Sequence, residues 1–180
     1  AGRARQIMNR VGRPMLVKTV SMMVTDEERN SRICGVIEEM YGKGRMILCV
    51  SDRRKHLNVL REMLATSEVI PEDHVGTFAG ETSKKKLRIR EEEKSRRVLL
   101  ATVRMVEEGF DRAELDCLIL TTPKSSMEQM VGRIQRTHPD KQHPLLIDFY
   151  DTYAGGTVLG LFRARLRFYR SSKFTVLNYD

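Results

Sequence analysis

Residues 98–121 read VLLATVRMVEEGFDRAELDCLILT, two short apolar runs (98–102 and 117–121) separated by a polar connection. A run of four or five apolar residues bounded by polar ones predicts a strand buried on both faces, as parallel strands are. The same texture recurs at 46–50, MILCV, and at 145–150, LLIDFY, and more weakly at 74–79, HVGTFA. Helical spacing lies between these runs. Thr25-x-x-Glu28 forms a capping box ahead of Ile33, Val36, Ile37 and Met40, and Gly42 and Gly44 stop that helix. Leu57, Leu60 and Leu64 mark a second helix. Ser125-x-x-Glu128 forms another capping box, ahead of Met127, Met130, Val131 and Ile134. Further helices are expected over 83–94, strongly charged, and around 158–169. Strands alternating with helices predict an α/β domain, a parallel sheet with helices on both faces. The apolar run 15–24 and the segment 174–177 are expected to add a strand at either end.

At 180 residues the chain has room for one ordinary domain, and 41% hydrophobic with 31% charged residues suits a packed core rather than disorder. No apolar run approaches the roughly 20 residues of a membrane span. The start, Ala1-Gly2-Arg3, has neither an initiator Met nor the apolar stretch of a signal peptide. A soluble intracellular chain cut from something longer is therefore expected, with nucleus, cytoplasm and virion not distinguished. Cys34, Cys49 and Cys117 lie far apart among aliphatic neighbours, which predicts buried thiols and no metal site.

The net charge of +8 is unevenly spread. Residues 1–24 carry five basic side chains and no acid, residues 84–97 eight basic against three acidic, and residues 152–179 five basic and no acid. Clustered Lys and Arg suit a polyanion, because they displace counterions from phosphates; solvated helix faces are the plainer reading.

In a parallel sheet, ligands bind beyond the carboxyl ends of the strands. That rule selects 51–53, 80–82, 102–111 and 121–136. Within the last, Gln129-x-x-Gly132-Arg133-x-x-Arg136 places two arginines three residues apart. On one helix face they would offer forked donors to phosphate oxygens, and Gly132 would let another backbone approach. The third region leaves a strand at Thr102 and reaches Gly109 and Asp111, a hydroxyl for a phosphate and a carboxylate for a ribose hydroxyl.

A-T-x-x-x-x-x-E-G-x-D (residues 101–111 around Thr102, Gly109 and Asp111) followed by Q-x-x-G-R-x-x-R resembles motifs V and VI of superfamily-2 helicases, in the family's order and separation. Residues 47–52, ILCVSD, are similar to motif IV, and 76–82, GTFAGET, to the strand-end motif that follows it. The resemblance covers roughly 26–151 and implies a RecA-like fold. G-x-x-x-x-G-K-[ST] and D-E-x-[DH] are absent, so the chain resembles the second RecA-like domain alone: 1–24 a basic lead-in and strand joining a missing first motor domain, 25–180 the domain itself. Gln129, where other branches carry His, places it nearer the translocase-like branches, and the tail is similar to helicases of phage and large DNA viruses. By resemblance Arg136 is the arginine finger and Arg133 its neighbour on the γ-phosphate. Gly109 and Asp111 meet the nucleotide, and Gln129 couples the two sites. Ser51, Gly80, Thr82 and Thr102 line the nucleic-acid track, with Arg53 added from its neighbourhood. ATP with Mg²⁺, held mainly by the missing domain, is the implied cofactor. DNA or RNA is the implied partner, with DNA favoured and no membrane.

The alternative from another class is a non-catalytic basic α/β module that binds nucleic acid or a protein. A nucleotide-sugar transferase domain of similar layering would not need Arg133 and Arg136 together.

Overall fold

A computed structural model describes residues 15–79, 93, 95–108, 111–125 and 127–178. They divide into two compact units. The larger comprises Val24–Thr122 and Glu128–Phe149. The smaller takes in the described residues before Val24, Pro123–Met127 and the described residues from Tyr150 onward.

The larger unit is a five-stranded sheet, β1 (Ile47–Ser51), β2 (Val75–Phe78), β3 (Val98–Thr102), β4 (Cys117–Leu120) and β5 (Leu145–Asp148), in the order β2-β3-β1-β4-β5. Every pairing is parallel. The α/β architecture read from the alternating runs is the one observed. The three central strands are buried throughout apart from Thr102, which is half-buried, so their apolar runs show no alternation. Each strand then serves two layers at once. Ile47, Cys49, Val98, Leu100, Cys117 and Ile119 face one core with α2 (Glu27–Gly42) and α3 (Arg54–Leu64), through Ile33, Ile37, Leu57, Leu60 and Leu64. The alternate residues Leu48, Leu99 and Leu118 are equally buried. The short helices α4 (Val103–Glu107) and α5 (Glu128–Ile134) lie against β3, β4 and one another. Truncating a fully buried leucine such as Leu60 to Ala costs about 2–5 kcal/mol.

Local chemistry explains several ends. Helix α2 is capped by Asp26, whose carboxylate accepts from the Arg29 N–H. The cap thus falls one residue later than Thr25, because an ionised carboxylate is the stronger acceptor there. Gly76 in β2 is required by close approach: a Cβ there would overlap the carbonyl oxygen of Glu93. The Glu93 carboxylate accepts from the Thr77 N–H at 2.8 Å. The three cysteines are free and buried. Burial pushes the Cys34 and Cys117 thiols up to about 12 and that of Cys49 higher still, so none is a ready nucleophile.

The smaller unit holds α1 (Leu16–Met23) and α6 (Gly156–Ser171). The run 15–24 was expected to be a strand and is a helix. Thr19, Val20 and Met23 are buried while Val17 and Met22 are exposed, a helical period that an almost unbroken apolar run conceals. Thr19 and Ser21 hydroxyls donate to the carbonyls of Met15 and Val17, four residues back, which suits a helix. The strand expected over 174–177 also does not form. Lys173 takes a left-handed φ of 61° after α6, the Phe174 N–H returns to the Tyr169 carbonyl at 2.9 Å, and the Phe174 ring packs on Phe168 and Tyr169. This terminal wrap uses the backbone that a strand would have needed. Met23, Ala154 and Val158, with Leu16, form the unit's apolar cluster. Among the described residues no helix is long and apolar enough to cross a membrane.

Candidate functional site

Parallel register aligns Ser51 with Thr102, and Thr121 follows β4 beside them, its N–H bonded to the Val50 carbonyl. Three hydroxyls therefore stand at adjacent strand ends. They are not equivalent. Ser51 is fully buried. Its Oγ accepts from the Arg53 N–H at 3.1 Å and lies 3.1 Å from His56 Nδ1. His56 Nε2 lies 2.9 Å from Asn30 Oδ1, and Asn30 Nδ2 donates to the Val24 carbonyl at 3.1 Å. The last bond fixes which way the amide faces, so Nε2 carries the imidazole proton and Nδ1 accepts from the Ser51 hydroxyl. The Thr121 hydroxyl gives its proton to the Val50 carbonyl at 2.7 Å. Arg29, also buried, donates to the Thr121 carbonyl at 2.8 Å and lies 5.6 Å from the Phe149 ring. Burial, helped by the nearby Arg29 charge, lowers the His56 pKa to about 3, so the ring is neutral at ordinary pH.

Thr102 contrasts with this. It precedes α4 as its N-cap in extended backbone, makes no capping bond, and is half-buried. Its side chain makes no hydrogen bond with the described residues, so the hydroxyl is available. Arg53, ahead of α3, has a buried Nε without a partner among the described residues. The turn between them is held by the Asp52 N–H donating to Thr122 Oγ1 at 2.9 Å.

The second group of predicted residues gathers elsewhere in the same unit. Arg136 and Asp111 form an ion pair, with Asp111 well exposed and Arg136 partly so. The expectation that Arg133 and Arg136 share one helix face is corrected: α5 ends at Ile134, and Arg136 lies in the bend beyond it. Its position is set by Lys141, whose ammonium donates to the carbonyls of Ala113 (2.9 Å) and Arg136 (2.7 Å), tying the two loops together. Burial lowers the Lys141 pKa, Asp116 and Glu114 oppose that shift, and Arg136 adds to it. Arg133 is half-buried and Gln129 exposed one turn before it; neither side chain bonds to the described residues. Gly132 was expected to admit a neighbouring backbone, yet nothing described lies within 4 Å of a Cβ placed there. Arg136 also borders an open depression of about 680 Å³ with Thr137, His138, Lys141 and His143, without an acidic lining residue. Gly80, Thr82 and Gly109, with most of the charged segment 83–94, lie outside the described residues.

Sequence reasoning missed Arg29, Asn30 and His56 as parts of this edge, and it included Thr121 and Thr122 in the selected region without giving them a role. A signal existed. Arg29, Ile33 and Ile37 recur at four-residue intervals, as do His56, Leu60 and Leu64, so polar side chains sat on the apolar faces of α2 and α3. A polar residue on a buried face needs a partner, and the strand ends supply it.

The five-stranded parallel sheet with its covering helices is the RecA-like fold of superfamily-2 helicase C-terminal domains. Residues 28–139 match the helicase conserved C-terminal domain, and the chain belongs to that family. It is 30% identical over 170 residues to the Acanthamoeba polyphaga mimivirus protein named "Putative ATP-dependent RNA helicase L396", covering 93% of this chain and 31% of that one. It is 31% identical over 134 residues to "Probable helicase D10" of Escherichia phage T5, covering 72% and 29%. The likeness to viral helicases read from the sequence is thus observed. The chain spans about a third of the length of these curated relatives. Among solved structures, T4 UvsW shares the fold with a TM-score of 0.67 at 16% identity, over 89% of this chain and 36% of that one. S. cerevisiae Dbp5, bound to RNA and ADP BeF3, shares it with a TM-score of 0.60 at 16% identity, over 82% and 39%.

Proposed function

We propose that this chain works as the second motor domain of an ATP-dependent helicase or translocase, supplying the arginine finger and half of the nucleic-acid track. The observation that carries this reading is the ion pair of Arg136 with Asp111 in the segment matched to the family. A partly exposed guanidinium stands there with an exposed carboxylate, and the half-buried Arg133 lies on the helix just before it. This donor set fits a nucleoside triphosphate, with forked N–H groups for phosphate oxygens and a carboxylate for a ribose hydroxyl.

ATP with Mg²⁺, bound mainly by a preceding domain, supplies the transferable phosphoryl group. Arg136 stabilises the charge that develops during transfer, and Arg133 orients the phosphate from the same side. The ion pair with Asp111 restrains the Arg136 guanidinium before nucleotide arrives, which limits the rotamer entropy lost on engagement. Gly109 and Asp111 meet the nucleotide, and Gln129 couples it to the track. On the track, Thr102 offers a free hydroxyl and Arg53 a guanidinium. Ser51, whose hydroxyl is spent on His56, acts by holding the turn that presents Arg53; Gly80 and Thr82 are assigned to the same track by resemblance alone. Contacts of this kind bind sugar and phosphate without reading bases. The partner is DNA or RNA, and the setting is intracellular.

The chain alone lacks a phosphate-cradling loop, so it should hydrolyse ATP negligibly and gain turnover only when joined to its preceding domain. In that complete protein, Arg136→Ala should reduce turnover by about 10³–10⁵ while nucleic-acid affinity stays within about threefold. Robust turnover by the purified 180-residue chain, or survival of turnover within about threefold in the variant, overturns the assignment.

A further inference from the structure

The smaller unit has an unusual charge balance. Among its described residues are seven cationic side chains, Lys18, Lys124, Arg163, Arg165, Arg167, Arg170 and Lys173, and one acid, Asp151, which is buried. Helix α6 sorts its arginines by face. At 100° per residue, Val158, Arg165 and Tyr169 fall within a sector about 40° wide, and all three are buried. Arg165 is committed there, donating to the Lys124 carbonyl at 2.8 Å and lying 5.5 Å from the Phe162 ring. Arg163, Arg167 and Arg170 fall within about 60° on the far side, all exposed. None of the three side chains pairs with a described residue, and no Asp or Glu occurs between residues 152 and 179.

Two ordinary explanations cover only part of this. Arg170, in the last turn, complements the helix dipole, but that effect is confined to the terminal turn and does not reach Arg163. Solubility needs charge of mixed sign rather than a single-sign stripe. The stripe rises about 6 Å from Arg163 to Arg167 and about 4.5 Å on to Arg170. Three guanidiniums in one row can therefore each reach a phosphate of a strand that follows the helix. Arginine, with its planar fork, matches phosphate bidentately. On the flank of the helix, Tyr150 is 54% exposed and its ring packs at a 42° tilt against Phe162 with centroids 4.6 Å apart, leaving an exposed ring face on which an unpaired base can stack.

We propose that the outer face of α6 is a second backbone-binding surface of this chain, on which Arg163, Arg167 and Arg170 hold the phosphates of single-stranded nucleic acid. It lies outside the segment matched to the helicase family and requires none of the motor residues.

The test uses the full 180-residue chain and a fluorescent single-stranded oligonucleotide, followed by anisotropy across a salt series. Replacing all three residues (Arg163→Gln, Arg167→Gln, Arg170→Gln) should flatten the log–log salt slope by about 2, at roughly 0.7 per phosphate contact. The thermal midpoint should hold, since exposed positions rarely affect stability. The matching Lys variants should keep the slope. A slope change below about 0.7, less than one contact, overturns the proposal. So does equal flattening by the Lys variants, or tighter binding of a duplex of the same sequence through these residues. The salt slope reads this surface and turnover of the complete protein reads Arg136, so the two failures are separable.

Discussion

The carboxyl ends of β1 and β3 are neighbours in register, yet one is closed and the other open. At β1, Ser51 gives its proton to His56, His56 gives one to Asn30, and Asn30 gives one to the Val24 carbonyl. At β3, Thr102 has an equivalent hydroxyl with no described partner. A buried polar group must be satisfied, whereas one at a ligand-facing edge can wait for its partner. The difference therefore separates the part of the edge that holds shape from the part whose hydroxyl has no partner among the described residues.

The sharpest way to break this comparison is His56→Ala. It opens a cavity and strands the Ser51 hydroxyl and the Asn30 carbonyl oxygen, so unfolding by urea should show a loss of about 3–4 kcal/mol. A loss below about 1 kcal/mol, that of one ordinary hydrogen bond, means that the closed end is not closed. Acid titrates the same feature. His56 binds a proton near pH 6.5 when unfolded but only near 3 when folded, so the unfolded state takes up more protons between those values. Its contribution is full above about 6.5 and declines as pH falls, by up to about 1.4 kcal/mol per pH unit. Comparing wild type with His56→Gln over that range isolates it, and parallel curves exclude it.

Ser51→Ala should cost about 1 kcal/mol of stability. Gly132→Ala should raise stability by about 0.5–1 kcal/mol, because its Cβ meets open space in a helix. If the complete protein then loses turnover, that space is filled during the motor cycle. Thr102→Ala should change stability by less than about 0.5 kcal/mol. It should weaken oligonucleotide binding by about threefold to tenfold, the value of one neutral hydrogen bond, without altering the salt slope, since no charge is lost. A stability cost at Thr102 equal to that at Ser51 would erase the contrast.

Much of the architecture was legible in residue order. Fully buried strands announce themselves as unbroken apolar runs, and the motif order that marks the family could be read along the chain. The places where reading failed share a cause. The run 15–24 is apolar at nearly every position, so strand and helix predict the same letters, and only the exposure of Val17 and Met22 separates them. Arg136 was given a helix face that α5 does not extend to, because the Lys141 ammonium that seats it lies five residues further along.

Sequence by itself determined the α/β class, the parallel sheet and the family, since each depends on local periodicity or motif order. Only tertiary structure decided which hydroxyls are spent and which remain available, and which arginines of α6 are buried or presented. Those outcomes depend on partners up to 92 residues away, as Arg29 is from Thr121. A polar side chain's role is set by whether its partner is another part of the chain or is still to come.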